Sequence, residues 1–395
     1  MQSLLPHGLE TPRPSLLSTR RVPALDGLRG SAIALVLAFH GYETWGAAAQ
    51  SGLGRLVFHV GALGWTGVDL FFVLSGFLIS GILIDTRQER HYFRDFFAKR
   101  SLRIFPLYYA TLLVFFVVLP QLAFGHHALG PDFEQVQKGQ VWFWSYLTNW
   151  WVGAVLPQWP HAPYLNHLWS LAVEEQFYLV WPLLVRWLPP ARLTAAFSVV
   201  ALTAFVARAA ILASGGTPIF VYVSTLTRMD SLAIGGLVAI LVRQRNVGRS
   251  RRIAALCVLA ASALGLTALF LRQRFLDSGD PTVQLLGFEC MAIGAASLVY
   301  WLVTDLGERS IVSRLLQVRP LGALGRVSYG VYVFHLPIFK WTRGMLGGGN
   351  SLRGTIGEWL LAITFTLSLA ALSFRFFESK LTALRRFIPQ ASSIS

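Results

Sequence analysis

The sequence predicts an all-α, polytopic membrane protein with about ten transmembrane helices around a polar central cavity, and three observations predict it. Hydrophobic residues fill 54% of the 395 positions against 13% charged, and mean hydropathy is +0.54. Such a chain is too apolar for one soluble core and too long for a single span. The apolar residues also fall into runs of membrane-crossing length, separated by short basic connections. Finally, ionisable residues stand inside those runs, where lipid tolerates them only against a partner or a water-filled cavity.

Along the chain, residues 1–21 read as a disordered cytoplasmic tail. Candidate spans follow at about 30–48, 65–85, 103–124, 167–188, 194–214, 229–243, 253–271, 283–304, 325–342 and 355–377. The segment 141–157 is rich in tryptophan and carries Asn149, which suits an interfacial or re-entrant piece better than a crossing. Charge supports that choice. With 141–157 not crossing, Arg20 and Arg21, the stretch Arg87 to Arg103, Arg186 and Arg192, the run Arg243 to Arg252, Arg309 to Arg319, and Lys380 with Arg385 and Arg386 all fall on one side. The positive-inside rule then places both termini in the cytoplasm, with 379–395 as a C-terminal tail.

The net charge of +15 is thus a topology signal, and no nucleic-acid partner is expected. Cys257 and Cys290 both lie in apolar runs, which excludes a disulfide framework and a thiolate metal site; no metal site is expected at all. A cleaved secretory signal at the first span is disfavoured because Asp26, Arg29 and His40 do not suit a disposable apolar segment.

The first span carries the chemistry most plainly. His40 follows Arg29 by eleven residues. In a helix that spacing is about 16 Å and about three turns, so both side chains share one face, half a bilayer apart. Asp69, Glu174, Glu175, Asp230, Glu289 and His335 are the other intramembrane ionisable groups. Helical phase puts His167, Ser170, Glu174 and Tyr178 on one face and turns Glu175 toward a leucine face; Ser328, Tyr332 and His335 line up in the same way. Each group has a purely structural alternative, the locking of a helix pair, which suits Asp230, Glu175 and Glu289 best. Glycines 64, 67, 76 and 81 are read as close-packing positions. At the basic end, Arg100 and Arg103 stand three apart at the start of the third span, ahead of Tyr108 and Tyr109, where guanidinium forks suit phosphate.

In order, LDGLRG, GVDLFFVLSGFLI, RSLRIFPLYY, LWSLAVEEQFYLVWP, RMDSLAIGG and SYGVYVFHLPI closely resemble the membrane-bound acyltransferase-3 family, over residues 22–378. One departure is Glu378-Ser379-Lys380 where the family often has Glu-Arg-Pro. The resemblance implies a multi-pass enzyme of the bacterial inner membrane that moves an acyl group, typically acetyl, from cytoplasmic acyl-CoA to a hydroxyl of a carbohydrate or glycosylated product. No permanently bound cofactor is implied; acetyl-CoA is a co-substrate. Some members add an esterase-like domain after the core, and none is expected in this sequence. On that basis His40 is expected to act as general base, with Glu174 or Asp69 fixing its tautomer, or alternatively to accept the acyl group itself. Arg29, Arg100, Arg103 and Tyr108 are expected to bind the donor. Ser75, Trp169, Ser170, Glu175, Tyr178, Asp230, Tyr332 and His335 would complete the cavity wall. Trp142, Trp144, Trp150, Trp151 and Trp159 could stack on acceptor sugars or rest at the headgroups. The rival from another class is a proton-coupled transporter, because proton relays use the same intramembrane residue types.

Overall fold

The computed structural model describes residues 22–42, 59, 61–122, 131–156, 164–244, 248–304, 310–347 and 352–388. All regular structure among them is helical, as a chain in lipid requires, since a helix satisfies its own backbone hydrogen bonds. The long helices are α1 (Pro23–Tyr42), α2 (Thr66–Asp85), α3 (Tyr92–Leu113), α4 (Trp169–Trp187), α5 (Pro190–Ala213), α6 (Thr225–Leu241), α7 (Arg249–Gln273), α8 (Phe288–Thr304), α9 (Arg319–Leu346) and α10 (Leu352–Ser373).

Seven helical stretches among the described residues are long and apolar enough to cross a membrane: Leu63–Asp85, Tyr92–Gln121, Pro190–Ala213, Pro218–Leu241, Arg249–Gln273, Val283–Thr304 and Gly354–Phe387. The chain is a multi-pass membrane protein. Helices α1, α4 and α9 are long enough but carry more polar residues, and these three hold His40, Glu174 and His335. Boundaries shift from the sequence expectation. The first helix starts at Pro23 and its expected end, 43–48, lies outside the described residues; α3 begins eleven residues earlier than expected, so Arg100 and Arg103 sit inside it.

Close crossings at glycine set the centre of the bundle. A Cβ added to Gly76 of α2 would come within 1.9 Å of the Leu232 carbonyl of α6, and one on Gly325 of α9 within 1.8 Å of the Asp26 carbonyl of α1. Side chains at these positions would push α2 from α6 and α1 from α9. At one end of the bundle Arg243 pairs with Asp85 at 2.6 Å and Arg87 donates to the carbonyls of Arg186 and Leu188. At the other, Trp65 Nε1 donates to the Leu276 carbonyl at 3.1 Å and Gln284 ties the carbonyls of Pro218 and Ser278, each at 2.8 Å.

Segment 141–157 is not one helix. It breaks into Gln140–Trp144, Thr148–Trp150 and a wide turn at Trp151–Val155, with Tyr146 at φ +55° between the first two. Asn149 explains its placement: its amide donates to Thr225 and accepts from Gln176, whose amide also reaches the Tyr146 carbonyl, each at 2.9 Å. The piece is thereby bonded to α4 and α6. The expected N-terminal tail lies outside the described residues. The expected C-terminal tail begins as ordered structure, a helix Ser379–Ala383 and a turn Leu384–Phe387, with Arg385 donating to the Lys99 carbonyl at 2.8 Å.

Candidate active site

Two cavities lie along the inner faces of α1, α2, α4 and α9. The larger, of about 530 Å³, is lined by Arg29 of α1, Ser75 of α2, Arg100 and Arg103 of α3, Ser170, Glu174 and Tyr178 of α4, Arg243 of α6 and Tyr332 of α9. The smaller, of about 230 Å³, is lined by His40, Trp65, His167, Trp169, Tyr222, Ser278 and Tyr332, among others. Val68 and Tyr332 line both, so the two meet at those side chains. The larger opens among the basic connections at the Asp85 end of the bundle and the smaller reaches the Ser278 loop at the opposite end.

In the larger cavity, Tyr178 organises the polar wall. Its hydroxyl donates to Glu174 Oε2 at 3.1 Å and accepts from Arg100 Nη2 at 2.5 Å, while Ser75 Oγ lies 2.5 Å away. One donor and two lone pairs are all spent. Arg100 also lies over the Tyr178 ring, 4.2 Å from its centroid. Arg243 is neutralised by Asp85. Arg29 and Arg103 are different: among the described residues neither guanidinium makes a hydrogen bond or ion pair, and both face the cavity. A cavity with two guanidiniums outside any ion pair suits an anionic ligand such as a phosphate.

In the smaller cavity, His40 Nδ1 lies 3.0 Å from the Val36 carbonyl and 3.2 Å from Nε2 of His335. A carbonyl can only accept, so Nδ1 carries the proton and the lone pair of the neutral ring is on Nε2. His335 is fixed likewise. Its Nδ1–H donates to the Tyr332 carbonyl at 2.7 Å, which leaves Nε2 as an acceptor toward His40. On the far side of His335, 4.8 Å between ring centroids, stands His167, whose Nε2–H donates to the Val333 carbonyl at 3.3 Å and whose buried Nδ1 has no partner. The Tyr332 hydroxyl donates to the His167 carbonyl at 2.8 Å, with Ser170 Oγ 2.5 Å away.

The structure thus groups Arg29, Arg100, Arg103, Ser75, Ser170, Glu174, Tyr178 and Tyr332 around one cavity and His40, Trp169 and Tyr332 around the next, with His335 packed behind His40. It does not bring the expected carboxylates to His40. Glu174 bonds Tyr178, and Asp69 pairs with Arg228 at 2.5 Å, both fully buried. Tyr108 lies away from both cavities, stacked 4.1 Å from Tyr146 and donating to the Phe143 carbonyl at 2.8 Å. Asp230 pairs with Arg208 at 2.7 Å, and Arg208 with Glu289 at 2.5 Å. Glu175, on the other face of α4, keeps Oε1 buried without a partner.

Sequence reading missed Arg208 and Arg228 as buried cations, and His167 and Trp65 as residues that share the smaller cavity with His40. The signal for Arg208 is a lone cation well inside the expected span 194–214, whereas Arg228 stands one residue before the span 229–243 and reads as a flank; Trp65 reaches the site only through tertiary packing. Among the described residues no cluster of three or more His, Cys, Asp or Glu is placed to hold a metal ion.

A family described as an acyltransferase domain matches residues 22–375. The chain is 30% identical over 372 residues to YrhL of Bacillus subtilis, covering 91% of this chain and 54% of that protein. It is 28% identical over 382 residues to the peptidoglycan O-acetyltransferase OatA of Listeria monocytogenes (93% and 57%), and 27% identical over 376 residues to the O-acetyltransferase OatA of Staphylococcus aureus (92% and 58%). The chain therefore spans little more than half the length of these curated relatives. No solved structure matches it.

Proposed function

The chain belongs to the acyltransferase-3 family, and from that premise we propose that it is an O-acyltransferase that carries an acyl group, acetyl first of all, from cytoplasmic acyl-CoA to a hydroxyl of a cell-surface carbohydrate, its lipid-linked precursor or a glycosylated product. One relation supports it above all: an arginine-lined cavity and a histidine-lined one at the opposite end of the bundle lie back to back, with Val68 and Tyr332 as their common wall. Arg29 and Arg103 would hold the phosphates of coenzyme A, with Arg100 beside them, and the long pantetheine arm would pass Val68 to bring the thioester to His40. Over about 16 Å of helix between Arg29 and His40, that arm spans half a bilayer.

At the far cavity the acceptor hydroxyl gives its proton to His40 Nε2 while its oxygen attacks the thioester carbon. The carbon–sulfur bond breaks, and the proton goes from His40 to the departing thiolate. Positive charge that develops on His40 is met by the Val36 carbonyl and by Nε2 of His335, both facing Nδ1–H. Helices α1, α4 and α9 are long enough to cross, which with the seven apolar stretches gives ten spans in a bacterial inner membrane and both termini in the cytoplasm by the positive-inside rule. The name of the Listeria monocytogenes relative makes peptidoglycan the first acceptor to test.

The deciding experiment is mass spectrometry of surface glycans and secreted glycosides from cells that carry the gene, lack it, or carry His40→Ala. We expect an acyl group that disappears equally in the last two, with the variant still inserted in the membrane. Acylation that survives His40→Ala would overturn this mechanism.

A further inference from the structure

Among the described residues, two connections form the outer rim of the smaller cavity, and one buried side chain holds both. Ser278 and Gly279 line the cavity from the connection between α7 and α8, and Pro218 and Ile219 line it from the connection between α5 and α6. Gln284 stands behind them in the wide turn Val283–Gly287, fully buried and outside the cavity lining. Its Nε2 donates to the Ser278 and Pro218 carbonyls, each at 2.8 Å. A carbonyl can only accept, so both protons of the amide are given to these two connections, one 6 and the other 66 residues away. Its Oε1 is buried without a hydrogen-bond partner, so the two donated bonds alone aim the amide. The Ser278 loop is pinned twice more, by Trp65 Nε1 on the Leu276 carbonyl at 3.1 Å and by the Gln273 amide on Asp280 at 2.9 Å.

A general base placed to take a proton from an alcohol serves water equally well, and water is the more abundant nucleophile. Its oxygen would attack the thioester carbon, the carbon–sulfur bond would break, and one of its protons would pass through His40 to the thiolate, leaving a free carboxylic acid. Selective transfer therefore requires that water be shut out while the acceptor is seated. We propose that Gln284 is the positioning residue that does this: by clamping the Ser278 and Pro218 connections together it keeps the rim closed around a seated acceptor, so that the acyl group goes to the alcohol and not to water. Surface loops open locally against the few bonds that hold them. Removal of two such bonds raises the open fraction by about tenfold or more. The assignment rests on the acyl-transfer reading and deepens it by naming the residue that discriminates between nucleophiles. Gln284 itself touches no substrate and moves no proton.

The test uses the full chain in inside-out membrane vesicles from cells that carry the gene, with acetyl-CoA labelled in the acetyl group and the glycans of the vesicles as acceptors. Label bound as ester and label released as acetate are counted separately, and vesicles with His40→Ala give the background for each. In the wild type the ratio of ester to acetate is high. Gln284→Met, similar in length and without a donor, lowers that ratio by about tenfold while KM for acetyl-CoA and total thioester cleavage stay within about twofold. Gln284→Glu, which can donate one proton at most, gives a ratio between those two. Amide hydrogen exchange in the Ser278 loop rises in the same order. Should neither Gln284 variant insert in the membrane, Asp280→Asn, which loosens the same loop from outside the cavity lining, carries the test with a fall of about threefold. A wild-type ratio in an inserted variant, or ester and acetate that fall together, overturns the clamp. Ester formation that persists in His40→Ala instead overturns the acyl-transfer mechanism itself, so the two failures are distinguishable.

Discussion

Nε2 of His335 lies 3.2 Å from Nδ1 of His40, and the Tyr332 carbonyl holds the proton of His335 on its other nitrogen, so the buried ring can only accept from His40. An acceptor there stabilises His40 most when His40 is charged. A hydrogen bond to a charged group is worth about 1.5–3 kcal/mol, so His335→Leu should lower kcat for acetyl transfer by about ten- to a hundredfold while both KM values hold. His335→Gln, with an amide oxygen able to reach the same position, should recover most of it. Single-turnover transfer from labelled acetyl-CoA checks both. Equal loss in the two variants would reduce His335 to a packing residue.

Asp69 and Arg228 form a buried ion pair, and the Arg228 guanidinium lies 4.2 Å from the centroid of the Phe288 ring. Removal of one partner leaves an uncompensated buried charge, so Asp69→Leu or Arg228→Met alone should cost about 3–5 kcal/mol of stability. The double replacement should recover the thermal midpoint and retain transfer. A double variant that is folded but dead would return Asp69 to the catalytic role its sequence position suggests.

How much the sequence disclosed follows from the range over which each signal acts. His40, Arg29, Glu174, Ser170 and Tyr178 were legible because helical phase alone aligns them, and Asn149 marked the broken segment because lipid forbids an unpaired amide. Asp69 was legible as buried but its partner was not: nothing local ties α2 to Arg228 on α6, 159 residues on. Arg228 escaped because a cation at the edge of an apolar run is read as a flank. Tyr108 shares a helix with Arg100, yet its position eight residues on turns it toward Tyr146, away from the cavity.

The loop that carries Ser278 to the smaller cavity is held by Asp280. Partial burial opposes its ionisation, but bonds from the Val283 N–H, the Gln273 amide and the Thr282 N–H outweigh this and keep the carboxyl below its ordinary value near 3.8. A carboxylate whose folded value is depressed adds stability that is complete above the unfolded value and is lost as pH falls through the folded one. The wild-type chain should therefore unfold at a higher temperature than Asp280→Asn at about pH 6, with the gap closing toward about pH 3. A gap that stays constant over that range would assign the difference to packing.

Val68 and Tyr332 are the side chains common to both cavities, and Tyr332 is pinned by the His167 carbonyl, so Val68 is the part of the wall between them that substitution can reshape without breaking a hydrogen bond. Val68→Trp should block the route from the arginines to His40. If Arg29 and Arg103 hold the donor on the near side as proposed, acetyl-CoA affinity should persist while transfer falls by about a hundredfold or more, since a thioester held short of His40 loses the advantage of position. Val68→Ala should keep acetyl transfer and admit longer chains, raising the rate with propionyl-CoA or butyryl-CoA relative to acetyl-CoA. Equilibrium binding of acetyl-CoA beside turnover with the three donors separates these effects. Undiminished transfer through a tryptophan at 68 would mean that donor and acceptor meet somewhere other than the junction of the two cavities.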